Sequence, residues 1–112
     1  MLERVMNFDG RVQLSVKVTE NFKERNRGLL ALDKLENGQG LLITPCRSVH
    51  TFGMQYPLDL LYLNKALKIV KIIENLQPLR MSMALRGHST LELNSGEVQR
   101  LGLSLGMQAS LH

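Results

Sequence analysis

Hydrophobic and polar residues alternate along one early stretch of the chain. Val12, Leu14, Val16 and Val18 are separated by Gln13, Ser15 and Lys17, the period-two pattern of a half-buried strand. Gly10 supplies a turn before it. Thr19 stands where a helix N-cap would, with Glu20 behind it in the favoured first turn. The spacing predicts a short helix near residues 20–27, with Phe22, Leu29 and Leu30 facing inward and Gly28 as its stop.

The run Glu36–Gly40 is turn chemistry. Leu41, Leu42 and Ile43 follow as a short apolar strand that Pro45 ends or moves to an edge. Val49–Phe52 reads as extended, Gly53–Pro57 breaks the chain, and Leu58–Leu63 is a strongly apolar strand. The two extended runs are expected to pair as an antiparallel hairpin with a loop of about five residues.

Residues 66–73 support two readings. Lys65, Lys68, Lys71 and Asn75 recur at helical spacing. The β-branched Ile69, Val70, Ile72 and Ile73 and the turn-like Asn64-Lys65 pair favour a strand, which is the reading preferred. Arg80–Leu85 reads as a short irregular strand with Met81 and Met83 as core filler. Thr90–Leu93 forms another strand, Asn94-Ser95-Gly96 a turn or cap, and the segment after it a short helix closed by Gly102 or Gly106. These elements predict a mainly β (α+β) fold, an antiparallel β-sandwich or small open barrel with two short helices.

At 112 residues the chain fits one domain, residues 1–112, and its 44% hydrophobic and 21% charged content is that of a soluble globular protein. The formal net charge of +4 comes from scattered basic residues. Aromatics make up 4% and Trp is absent, so platforms for stacking bases are scarce and the composition argues against nucleic-acid binding. Cys46 is the single cysteine, which excludes an internal disulfide and a cysteine-rich zinc site. The amino-terminal stretch carries Glu3, Arg4 and Asp9 and does not read as a signal peptide. The longest apolar runs fall far short of a bilayer span. A cytoplasmic location without cofactor or metal is the expectation, with a protein partner or homo-oligomer left open.

Arg27-Gly28-Leu29-Leu30, Gly40-Leu41-Leu42, His50–Met54 and Pro57–Leu63, in that order, resemble the domain-of-unknown-function 192 family. Leu91–Leu93, Asn94–Glu97 and Leu101-Gly102-Leu103 extend the resemblance to about residues 11–107. It implies a mostly antiparallel β domain of sandwich type and carries no established activity. The chain departs from the commoner family pattern at Phe52–Tyr56, at His88 where an Arg is usual, and at Met107 where an acidic residue is usual.

His50, Thr51 and Asp59 form the main candidate cluster. A carboxyl among Leu58, Leu60 and Leu61 must be paired, hydrogen-bonded or neutralised. The expected hairpin would bring His50 or Thr51 to it, and Arg27 is the other candidate partner, able to fork onto Asp59 or Glu92. Cys46 and His50 invite a nucleophile–base reading, but four residues along a strand span roughly 13 Å, beyond hydrogen-bond reach. Cys46, His88 and Glu92 are weaker candidates, and Glu92 reads as a solvated strand charge. Two functions follow: non-enzymatic ligand or protein binding near His50, Asp59 and Arg27, or a hydrolase- or isomerase-like enzyme with His50 as base oriented by Asp59.

Overall fold

The computed structural model describes residues 1–28 and 34–112. The first strand, β1 (Leu2–Phe8), turns through Asp9 and Gly10 into β2 (Val12–Val18), followed by the helix α1 (Phe22–Arg27) and β3 (Gln39–Ile43). Then come β4 (Ser48–His50), β5 (Leu58–Leu63), β6 (Ile69–Leu76), β7 (Met81–Met83), β8 (Ser89–Asn94), the helix α2 (Glu97–Leu101) and β9 (Ala109–Leu111). Seven strands form one sheet in the order β6-β5-β8-β3-β2-β1-β9, and β4 pairs with β7 in a second, two-stranded sheet. All described strand pairs are antiparallel except β2–β3.

The large sheet curls until its two edges approach each other. Lys68 bridges to Gln108, the Ile69 N–H donates to the Met107 carbonyl at 3.0 Å, and the Ala109 N–H donates to the Leu67 carbonyl at 2.9 Å. The result is a mainly β half-barrel, the open-barrel form of the two architectures expected. Of residues 66–73, those from Ile69 onward enter the strand β6, as their β-branched content indicated, and Asn64 turns the chain into it.

Hydrophobic patterning explains which strands sit where. In β2 only Leu14, Val16 and Val18 are buried, so one face is packed and the other is wet. In β5 all six residues are buried, and β8 is buried through Leu93. A strand covered on both faces carries apolar residues at successive positions rather than alternating, as β5 does apart from Asp59, and its buried polar groups must find partners. Met6, Phe8, Leu42, Leu61, Leu63, Leu91 and Leu93 fill the concave side. Leu41, Ile43, Leu58, Leu60 and Tyr62 project from the other side of the same central strands and pack against Val49 and Ala84.

Four local expectations are corrected. The hairpin between residues 49–52 and 58–63 does not form: Val49 faces Ser82 across β4–β7, while β5 has β6 on one edge and β8 on the other. The long, doubly buried β5 gains more from two apolar neighbours than from a three-residue strand with one buried residue. Met81 and Met83 are exposed at 73% and 52%, because pairing in β7 turns the alternate position Ala84 inward. Asn21, not Thr19, caps α1: its side chain accepts from the Glu24 N–H at 2.9 Å, while buried Thr19 accepts from the Thr44 N–H at 3.1 Å. Phe22 points to water and α1 buries none of its residues; Leu29 and Leu30 lie outside the described residues.

Candidate functional site

A cleft of about 70 Å³ opens on the convex side of the sheet where the end of α1 meets β4. Its floor is formed by the central strands through Ile43, Leu58 and Glu92, and Arg27, Cys46 and His50 stand around it. Glu92 is the unusual member. In β8 it points opposite to Leu91 and Leu93, as alternation requires, but that side of the sheet is covered. Its register partners are Leu41 on β3 and Leu60 on β5, both fully buried, and Glu92 itself is only 5% exposed. Among the described residues no ion pair reaches its carboxyl. Burial pushes the group up to about 7, since removal from water penalises the charged form. The solvated-charge expectation for Glu92 is therefore wrong: the direction of the side chain was legible, the cover over it was not.

Gly28 lets the end of α1 come down onto this floor. Its φ of +52° is a conformation side chains rarely adopt, and a Cβ placed there would lie 3.9 Å from Glu92 Oε1 and 3.8 Å from Ile43 Cδ1. Arg27 is exposed at the rim and pairs with neither Asp59 nor Glu92 among the described ion pairs. His50 is also exposed, its ring stacked on Phe52 at 5.2 Å between centroids. Cys46 donates from Sγ to the Ser48 carbonyl at 3.0 Å, so the thiol is engaged within its own turn.

Asp59 lies elsewhere. Leu58 reaches the cleft, and the next residue along β5 points through the sheet to the other side. There the carboxylate, fully buried, accepts three backbone N–H groups: Asn75 on Oδ1 at 2.8 Å, and Gly96 and Val98 on Oδ2 at 3.0 and 2.9 Å. The expectation that a buried acid here needs company holds, but its company is the end of β6 and the first turn of α2. Main-chain donors meet the demand that His50, Thr51 or Arg27 was expected to meet, and His50 has no orienting carboxylate in Asp59.

Thr51 is likewise taken up in structure. Its Oγ1 donates to the Gln77 carbonyl at 2.7 Å and accepts from the Arg80 N–H at 2.8 Å, fastening the loop before β7 behind His50 and Phe52. His88 is half-buried away from this cleft, beside Arg47, Lys65 and Arg86. Among the described residues no three His, Cys, Asp or Glu side chains gather as a metal-binding group, and no helix is long and apolar enough to cross a membrane. Of the residues singled out in the sequence, the cleft therefore brings together Arg27, Cys46, His50 and Glu92, and leaves out Thr51, Asp59 and His88.

The chain matches no curated protein. A crystal structure of a Sinorhizobium meliloti protein described as a proposed transcription regulator shares the fold with a TM-score of 0.88 and 24% identity, over 98% of this chain and 94% of that one. A protein of unknown function from Novosphingobium aromaticivorans is similar at a TM-score of 0.81 and 21% identity, over 96% of this chain and 82% of that one. At these identities the likeness is one of architecture. Residues 4–111 match the domain-of-unknown-function 192 pattern, described as an uncharacterized ACR, and the chain belongs to that family.

Proposed function

We propose that the protein is a binding domain whose cleft receives a small hydrogen-bonding group, with Glu92 at its floor and Arg27 and His50 at its rim. The observation that carries this reading is Glu92: a carboxyl 5% exposed, flanked by leucines, facing a cleft. Such a group is costly to bury, and an incoming donor offsets that cost. The space of about 70 Å³ holds roughly two waters, so it suits an amine, amide or hydroxyl tip rather than a whole cofactor. Exposed Arg27 would take an acceptor on the same ligand, and the His50–Phe52 stack would offer it an apolar face.

A fragment screen by two-dimensional NMR tests this, using small primary amines, amides and alcohols. Binders are expected to move the Gly28, Val49 and Glu92 amides, and to weaken about tenfold in Glu92→Leu and in Arg27→Ala, the scale of one charge-assisted hydrogen bond. Binders that map elsewhere, or that ignore both substitutions, overturn the assignment. A catalytic reading has one observation in its favour: a carboxyl held at about 7 suits a general acid or base at neutral pH. It makes Glu92 the proton-transfer group in place of the His50–Asp59 pair, and turnover of a bound fragment that is lost in Glu92→Gln would select it.

A further inference from the structure

A second hollow lies next to the first, sharing Cys46 with it, between residues 45–47, 64–66 and 86–88. Arg47, Lys65, Arg86 and His88 stand around it, and its lining contains no acidic residue and no Phe, Tyr or Trp. None of Arg47, Lys65 and Arg86 belongs to an ion pair among the described residues. Like charges collected at one place repel one another, and an anion relieves that repulsion.

The frame holding them is laced by main-chain bonds. Cys46 N–H donates to the His88 carbonyl and His88 N–H to the Leu63 carbonyl, each at 2.7 Å, and Ala84 N–H donates to the Arg47 carbonyl at 2.9 Å. Gly87 permits the last approach: a Cβ there would sit 3.2 Å from the Ala84 oxygen and 3.3 Å from Arg47 Cβ. Three separate segments are thereby locked edge to edge, and only the outer parts of the basic side chains need ordering when a ligand arrives.

We propose that this hollow binds a small phosphate-bearing ligand carrying two or three negative charges, such as a pyrophosphate or phosphate monoester group. Two guanidinium forks suit the oxygens of a phosphate, and Lys65 adds a point charge. A single carboxylate would leave most of the positive charge unmatched. A nucleic-acid strand fits less well, because the cations cluster around one spot and no aromatic ring is present to stack a base.

The test is a ¹⁵N NMR titration of the whole protein with sodium pyrophosphate at constant ionic strength. Saturable shifts are expected at residues 46–47, 64–66 and 86–88. Affinity should fall about tenfold in Arg47→Ala and in Arg86→Ala, and stay unchanged in Lys23→Ala on α1. Shifts reproduced by sodium chloride alone, or insensitive to Arg86→Ala, overturn the proposal. So does a single-stranded oligonucleotide that binds more tightly than pyrophosphate and shifts amides well beyond the hollow. The two clefts share Cys46 but neither Arg47 nor Arg86, and the arginine variants separate them, so failure here leaves the Glu92 reading standing, and the reverse holds too.

Discussion

Asp59→Asn is the most direct way to probe how the acid in β5 holds the molecule together. The carboxylate has three N–H groups pointed at it, and both of its oxygens are used. An asparagine of the same shape keeps one acceptor oxygen. In its better orientation that oxygen serves Gly96 and Val98, and the amide nitrogen is turned toward the Asn75 N–H, donor against donor. The part-buried Asn75 N–H left facing a donor costs about 1–2 kcal/mol, and each of the other two bonds loses its charge assistance, about 0.5–1 kcal/mol apiece. The sum is about 3 kcal/mol, a large share of the roughly 5–15 kcal/mol that holds a domain folded. For a chain of this length that corresponds to a midpoint lowered by about 12 °C or more. Thermal and urea melts followed by circular dichroism measure it. Asp59→Asn losing less than about 1 kcal/mol would refute the view that this side chain ties β6 and α2 to the sheet.

Two further outcomes follow from the same geometry. Glu92 is raised from its ordinary 4.5 to about 7 in the folded protein, so between those values the folded state holds a proton that the unfolded chain has released. The contribution of Glu92 is therefore fully present below about 4.5, declines as pH rises to about 7, and levels off beyond, for a total on the order of 3 kcal/mol. Glu92→Gln should flatten that decline and raise stability at pH 8, as read from urea midpoints across pH; an unchanged profile would contradict the burial. Thr51→Val removes the acceptor of the Arg80 N–H and should cost about 1–3 kcal/mol, whereas His50→Ala, on an exposed neighbour, should cost under about 1 kcal/mol. Equal losses in the two melts would show that the loop is not fastened through the hydroxyl.

Local chemistry was readable along the chain wherever one interaction dominated. The alternation of residues 12–18 identified β2, the β-branched residues of β6 outweighed its lysine spacing, and Gly28 and Gly102 ended the helices as their lack of a side chain allows. The mostly apolar run of β5 marked a strand, and the demand that Asp59 be satisfied could be stated without coordinates. β1 and β9 escaped notice: polar Glu3 and Arg4 obscure the first, and the second is three residues long and exists through its pairing with β1.

Which groups answer which was decided in three dimensions. Periodicity assigns Glu92 to the face opposite Leu91, but only the docking of α1 and of the β4–β7 pair makes that face an interior. Alternation likewise separates Asp59 from Leu58, yet the main-chain donors that satisfy it come from residues 75, 96 and 98, far along the chain. A pairing preference is local and can be read residue by residue. Burial is a property of what other segments bring to the same place, and the chain folded into a curled sheet is what sets the environment of each carboxyl.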